Sequence, residues 1–220
     1  MIRCIIFDLD GTLLDTLDDL KDAANYALDR FDNPPVSKEF IRKSIGDGVA
    51  KLIERVITDG LANRKYERTL EIFNEYYAEN CCVKTKAYPG IQHVISQLKA
   101  DGYRLAVCSN KTHSVACKLV KQFFGNNFDY IQGSIEGVER KPNPALMNIV
   151  LARFVRPRKE EVLYIGDTEI DERTAYRAEV PYLLVSYGYR TRDEQRIKTP
   201  YARIVDTPDK IYEFIKKQED

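Results

Sequence analysis

Apolar and polar positions alternate along the chain between two rhythms. Five short runs are apolar almost throughout, at Ile2–Phe7, Leu105–Cys108, Phe128–Ile131, Val162–Ile165 and Tyr182–Val185. Runs of this length without polar alternation predict strands buried on both faces of a parallel sheet. A weaker run, Ala202–Val205, adds a candidate edge strand. Between the runs the apolar residues recur at three- and four-residue steps. Ile91, Val94, Ile95 and Leu98 make one stripe, Val115, Leu119 and Phe123 a second, and Leu146, Ile149, Val150 and Phe154 a third. Such stripes mark helices with one buried face. Strands alternating with helices predict an α/β fold with a doubly wound parallel sheet.

One long segment departs from this alternation. From Thr16 to Thr85 only helical stripes occur. They are Leu17, Leu20, Ala24, Ala27, Leu28 and Phe31, then Val49, Leu52, Ile53, Val56 and Ile57, then Tyr66, Leu70, Phe73 and Tyr77. Asn33-Pro34-Pro35 and Asp59-Gly60 punctuate them as turns. The reading is a sheet-containing domain formed by residues 1–15 and 86–220, with an inserted α-helical domain at 16–85.

Composition narrows the partners. Lysine plus arginine number 34 and aspartate plus glutamate 34, so the formal net charge is zero. No global basic field draws the chain to nucleic acid or to an anionic membrane surface. No stretch approaches the roughly 20 apolar residues of a membrane span. The first strand follows Met1 too closely, and meets Asp8 and Asp10 too soon, for a secretory signal. Five cysteines, odd in number and without a C-x-x-C pair, predict reduced thiols in a cytoplasmic protein. No long exposed apolar stripe is evident, which predicts a monomer.

Ligands of open parallel sheets bind beyond the carboxyl ends of the strands. The residues there are Asp8-Leu9-Asp10-Gly11-Thr12 after the first strand, Ser109-Asn110-Lys111 after the second and Gly166-Asp167-Thr168-Glu169-Ile170-Asp171 after the fourth. Arg140-Lys141-Pro142 falls between the third and fourth. Asp8 and Asp10, two residues apart in extended chain, share a face. Two carboxylates ~4 Å apart repel by about 4 kcal/mol at an effective dielectric of 20. Asp167 adds to that repulsion, so the cluster calls for a cation. Hard oxygen ligands, in a chain with two histidines, favour Mg²⁺ over zinc. Magnesium held by few carboxylates commonly also binds a substrate phosphate.

These residues suit phosphoryl transfer. Asp8 is the expected nucleophile, forming an aspartyl-phosphate. Asp10 protonates the leaving oxygen and then activates water. Ser109, the adjoining backbone N–H of Asn110 and Lys141 hold the phosphate oxygens. Asp8, Asp10, Asp167 and Asp171 form the candidate metal set, with Asp171 ligating directly, ligating through water or orienting Lys141. Asp15 and Thr16 read as a cap of the following helix. His93 and His113 show no ligand spacing and read as structural.

Taken together the motifs resemble those of the haloacid dehalogenase-like phosphatase superfamily. The matching segments are Asp8 through Thr16, Ser109-Asn110, Lys141-Pro142 and Gly166-Asp167-x-x-x-Asp171. The resemblance implies a Rossmann-like core, a helical cap domain inserted after the first strand, one Mg²⁺, and a metal contact from the Asp10 backbone carbonyl. Ile45-Gly46-Asp47-Gly48-Val49-x-x-Leu52 is similar to the cap loop of the phosphoglycolate phosphatase-like group, which implies substrate contact at Gly46, Asp47 and Gly48. Tyr187-Gly188-Tyr189 is similar as well. Glu179-Val180 departs from the pattern, which usually carries glycine after the helix alanine. The expected activity is hydrolysis of a small phosphate monoester, phosphoglycolate first. Pyrophosphate, nucleotides and sugar phosphates remain open, as does a phosphomutase of the same fold; a non-enzymatic phospho-receiver fits less well because receivers are about half this length and lack an inserted domain.

Overall fold

The computed structural model describes residues 1–154 and 157–218. The chain runs through β1 (Cys4–Phe7), β2 (Leu14–Asp15), α1 (Leu17–Asp29), α2 (Lys38–Ser44), α3 (Val49–Val56), α4 (Tyr66–Asn80) and β3 (Lys86–Ala87). It continues through α5 (Ile91–Ala100), β4 (Arg104–Thr112), α6 (His113–Phe124), β5 (Tyr130–Ser134), α7 (Ala145–Arg153) and β6 (Val162–Gly166). The last elements are α8 (Glu169–Ala178), β7 (Tyr182–Val185), α9 (Arg192–Lys198), β8 (Ile204–Val205) and α10 (Pro208–Lys216). Two compact units result, one of Met1–Leu14 with Ala87–Asp220 and one of Asp15–Lys86.

The first unit holds a six-stranded sheet in the order β5-β4-β1-β6-β7-β8, with parallel pairing throughout. Strand β1 lies between β4 and β6, so the strand order reverses around it. At such a switch point the connecting loops diverge and leave a crevice at the carboxyl end. The strands are apolar throughout because both faces are covered. On one face Cys4, Ile6, Ala106, Cys108, Val162 and Tyr164 meet Leu146, Met147 and Val150 of α7 and Ala175 of α8. Burial pushes the Cys108 thiol up to about 12, so it behaves as a small apolar group.

Strand β5 begins two residues later than the apolar run 128–131 and extends through Gln132, Gly133 and Ser134. These residues are buried although polar, because Gln132 is satisfied internally: it accepts from the Tyr130 hydroxyl at 2.8 Å and donates to the Gly133 carbonyl at 2.7 Å. Strand β4 likewise continues past Cys108 to Thr112, and its register with β5 slips between these two residues. At the C-terminus of α8, Glu179 adopts the left-handed conformation, with φ 58° and ψ 39°. That is the position at which the family pattern favours glycine, and glycine enters this region without the Cβ penalty.

The second unit is helical. Helix α1 packs against α4 and α2, and α3 packs against α2 and α4. Leu28, Ile41, Leu52, Ile53 and Phe73 make its buried centre. Helix α2 has no apolar stripe of its own and buries only Ile41 and Ser44. Asp15 Oδ1 accepts from the Leu17 N–H at 3.2 Å and caps α1, whereas the Thr16 side chain makes no cap bond. Asp19 is buried and accepts from the backbone N–H groups of Lys84, at 2.9 and 3.0 Å, and Thr85, at 2.8 Å. No helix among the described residues is long and apolar enough to cross a membrane.

Candidate active site

The site begins at the last residues of β1. The Asp8 N–H donates to Ile165 O at 2.8 Å, continuing the pairing with β6 by one step. The chain then turns around the Leu9 carbonyl, which accepts from the N–H groups of Leu13 and Leu14 at 3.0 Å each. Gly11 makes this turn possible with φ +85°. A Cβ at Gly11 would lie 2.4 Å from Asp167 Oδ2, and one at Gly188 would lie 2.1 Å from Gly11 O and 2.6 Å from Asp167 Oδ2. The two glycines therefore let the turn, the loop after β7 and the Asp167 carboxylate close on one another.

Asp8, Asp167 and Asp171 each present a carboxylate oxygen within 4.8 Å of the others, and all three are buried. Lys141 is buried among them. Its ammonium lies 2.9 Å from Asp8 Oδ1, outside hydrogen-bond geometry, and 2.8 Å from Asp171 Oδ1. It also donates to the Tyr164 hydroxyl at 2.9 Å. The backbone of Lys141 is bracketed by one side chain, for Asn110 accepts from its N–H at 2.7 Å and donates to its carbonyl at 2.9 Å. The Asn110 amide thus serves Lys141, which narrows its expected phosphate role to the backbone. Ser109 is buried beside it and accepts from the Lys111 N–H at 3.3 Å.

The three carboxylates differ in what surrounds them. Asp171 accepts from Lys141 and from the Tyr164 phenol, both at 2.8 Å, through Oδ1. Its Oδ2 accepts from Asp167 N, Thr168 N and Thr168 Oγ1 at 2.9 to 3.2 Å. Five donors exceed the four lone pairs of a carboxylate. Asp171 is therefore close enough to a shared ion but already saturated by donors, the Lys141 ammonium among them. Burial works to raise its pKa, but the Lys141 ammonium and these donors keep it below the ordinary value. Among the described residues the Asp167 carboxylate receives Tyr189 N at 2.7 Å and a long contact of 3.4 Å from Thr12 Oγ1. Burial, then the Asp171 and Asp8 charges, push its pKa well up. Burial likewise pushes Asp8 up to about 7, against the pull of Lys141. Burial alone would lower Lys141, but the Asp171 and Asp8 charges hold it above the ordinary lysine value. Two buried acids driven toward protonation, with oxygen donors only, fit a small hard dication.

Asp10 stands apart from this triad. Its Oδ1 pairs with the Lys111 ammonium at 2.7 Å. Apolar patterning conceals this pairing, because the polar triplet Ser109-Asn110-Lys111 looks like the end of a strand while β4 in fact continues through it. Gly46, Asp47 and Gly48 belong to the helical unit. Both glycines have positive φ, 121° and 91°, and Asp47 pairs with Arg55 at 2.5 Å.

Comparison with known proteins identifies the family. The haloacid dehalogenase-like hydrolase family matches residues 5–185. Phosphoglycolate phosphatase 1 of Pseudomonas aeruginosa is 32% identical over 193 residues, covering 85% of this chain and 70% of that one. Phosphoglycolate phosphatase of Aquifex aeolicus is 34% identical over 189 residues, covering 86% of each. The crystal structure of a predicted phosphoglycolate phosphatase from Haemophilus somnus 129PT superimposes with a TM-score of 0.87 at 28% identity, over 96% of this chain and 97% of that one. A parallel sheet with its acids gathered at the switch point, together with a family match that spans most of the chain, establishes that this protein belongs to the haloacid dehalogenase-like hydrolases.

Proposed function

We propose that the protein is a Mg²⁺-dependent phosphatase of small phosphate monoesters, phosphoglycolate being the first candidate, acting through an aspartyl-phosphate on Asp8. The observation that carries this reading is the buried cluster of Asp8, Asp167 and Asp171 around Lys141. The names of its relatives support the substrate.

Asp8 and Asp167 would hold the metal, with the Asp10 carbonyl as the further ligand that the family resemblance implies. When bound, Mg²⁺ offsets carboxylate charge and draws electron density from the phosphate. An Asp8 carboxylate oxygen forms the bond to phosphorus while the ester oxygen leaves and takes a proton from Asp10. Asp10, now ionised, accepts a proton from water as the water oxygen attacks phosphorus. The Asp8–phosphorus bond breaks, releasing inorganic phosphate and restoring both acids. Ser109, the Asn110 backbone and Lys141 steady the phosphoryl oxygens, while Asp171 keeps Lys141 in place. Substrate contact at Gly46, Asp47 and Gly48 is part of the same proposal and rests on the family resemblance.

The test is a panel of phosphate esters assayed with Mg²⁺, with and without chelator, beside Asp8→Asn. Release of free phosphate that requires Mg²⁺ and disappears in a folded Asp8→Asn protein is the expected result. Retained turnover in that variant would remove the covalent mechanism, and an isomerised sugar phosphate in place of free phosphate would indicate a mutase.

A further inference from the structure

Helix α9 buries one residue, the polar Gln195, which is 1% exposed. Its amide nitrogen donates to Asp167 O at 2.8 Å and to Val185 O at 2.7 Å. Both N–H groups of the amide are used, and two carbonyl acceptors fix which end of the amide faces them. The pairing of β6 with β7 ends at Gly166 opposite Leu184. Asp167 and Val185 are the next residues along the two segments, so the glutamine cross-links them one step beyond the last ladder pair. The residues around α9 reach the same place by other routes. Lys198, in its last turn, pairs with Glu169 at 2.9 Å, and Arg190, just before the helix, pairs with Glu169 at 3.1 Å. The Lys198 side chain is 45% exposed, and such a pair holds little. The Gln195 bonds are shut away from water, where a hydrogen bond is electrostatically stronger.

From this geometry we infer that Gln195 is a positioning residue for the metal: it fixes the Asp167 main chain and so aims the Asp167 carboxylate at the ion. The inference rests on the phosphatase reading above, in which Asp8 and Asp167 hold Mg²⁺. The Asp167 main chain is held on both sides of its side chain. Its N–H donates to Asp171 Oδ2 at 3.2 Å, and its carbonyl accepts from Gln195. The carboxylate itself accepts from Tyr189 N, two residues before the cap of α9. The segment that carries Gln195 therefore grips Asp167 at backbone and side chain together. Mg²⁺ demands near-ideal octahedral geometry, so a small shift of one carboxylate costs affinity. Groups that orient a metal ligand without touching the metal act in this way.

The experiment measures the Mg²⁺ Kd by titration calorimetry, and the melting temperature in chelator, for wild type, Gln195→Met, Gln195→Asn and Thr199→Val. Methionine keeps the length of the side chain and removes both donors. Asparagine keeps the donors but is one methylene short, and guards against a folding failure of the methionine variant. Thr199 is buried, and its hydroxyl donates to Gln195 O at 2.8 Å, so Thr199→Val loosens the same helix while leaving the Gln195 amide in place. In Gln195→Met the Mg²⁺ Kd is expected to rise about ten- to a hundredfold, with Gln195→Asn between it and wild type. Thr199→Val is expected to melt earlier and to bind Mg²⁺ as wild type does. A Gln195→Met protein that melts earlier but keeps the wild-type Kd would overturn the inference and leave Gln195 a purely structural residue. Equal weakening in Thr199→Val would overturn it too, as would a failure of both Gln195 variants to fold. Absence of Mg²⁺ binding to the wild type would instead remove the metal reading, and this inference with it.

Discussion

The Tyr164 phenol donates to Asp171 Oδ1 at 2.8 Å and accepts from the Lys141 ammonium at 2.9 Å, so one hydroxyl joins the acid to the base it positions. Tyr164 is fully buried, and its pKa is raised well above the ordinary value by burial and by the neighbouring Asp171 charge. It therefore stays protonated and keeps its donor.

Tyr164→Phe removes that donor without removing the ring. The variant is expected to lose about 1–3 kcal/mol of stability, the cost of an unsatisfied buried partner. Turnover falls as well, because Lys141 loses one of its fixed contacts. Urea denaturation gives the first quantity and steady-state kinetics the second. Unchanged values on both would show that the hydroxyl is dispensable.

Asp8 makes metal-free stability depend on pH. Its pKa in the folded protein is about 7 against an ordinary 3.8, so folding favours the protonated form. The associated stability is complete below about pH 4 and is lost as pH climbs through about 7, by up to roughly 4 kcal/mol from a shift of this size. On the proposed reading, bound Mg²⁺ would reverse the trend by compensating the charge. Thermal melts in chelator should fall across this window, and the gain on adding Mg²⁺ should grow across it. Asp8→Asn in chelator should show a shallower decline than wild type.

Gly188 offers a steric test. A methyl group there would stand 2.1 Å from Gly11 O and 2.6 Å from Asp167 Oδ2. Gly188→Ala must displace the turn after β1 or the Asp167 carboxylate. Expected outcomes are a loss of about 1–3 kcal/mol, the usual range for overpacking, and weaker Mg²⁺ binding by titration calorimetry. Wild-type metal affinity would show that the displacement is absorbed elsewhere.

Glu179 makes the opposite prediction. An L-residue in the left-handed region pays roughly 1–2 kcal/mol, and the Glu179–Lys159 ion pair, largely exposed, offsets little of it. Glu179→Gly should raise stability by up to about 1 kcal/mol after the greater chain entropy of glycine is subtracted. Guanidinium melts would detect it, and a decrease would show that the ion pair outweighs the strain.

Much of this was readable in the residues. The run Tyr182–Val185 coincides with β7, and Val162–Ile165 with all but the last residue of β6, because strands covered on both faces need apolar side chains at every position. The acids at the strand ends were legible for the same topological reason. Polar residues that satisfy one another were not. Gln132 is buried at no net loss through its own neighbours, the Asn110 amide is committed to a backbone 31 residues away, and Lys111 answers to Asp10 across 101 residues. Helix α2 was invisible because Lys38–Ser44 carries no stripe and is fixed by packing against α1 and α3. Local spacing records what a residue avoids; it does not record which distant group it will meet.

Asp19 gathers the N–H groups of Lys84 and Thr85 onto the first turn of α1. The helical insertion thus leaves almost where it enters, tied by the Asp19 carboxylate and by the pairing of β2 with β3. A segment whose ends are stapled together behaves as a cassette: it can be lengthened, shortened or exchanged with little entropic cost to the sheet that hosts it. Over evolutionary time the phosphoryl chemistry could stay fixed while new helical inserts were tried on the same two anchor points.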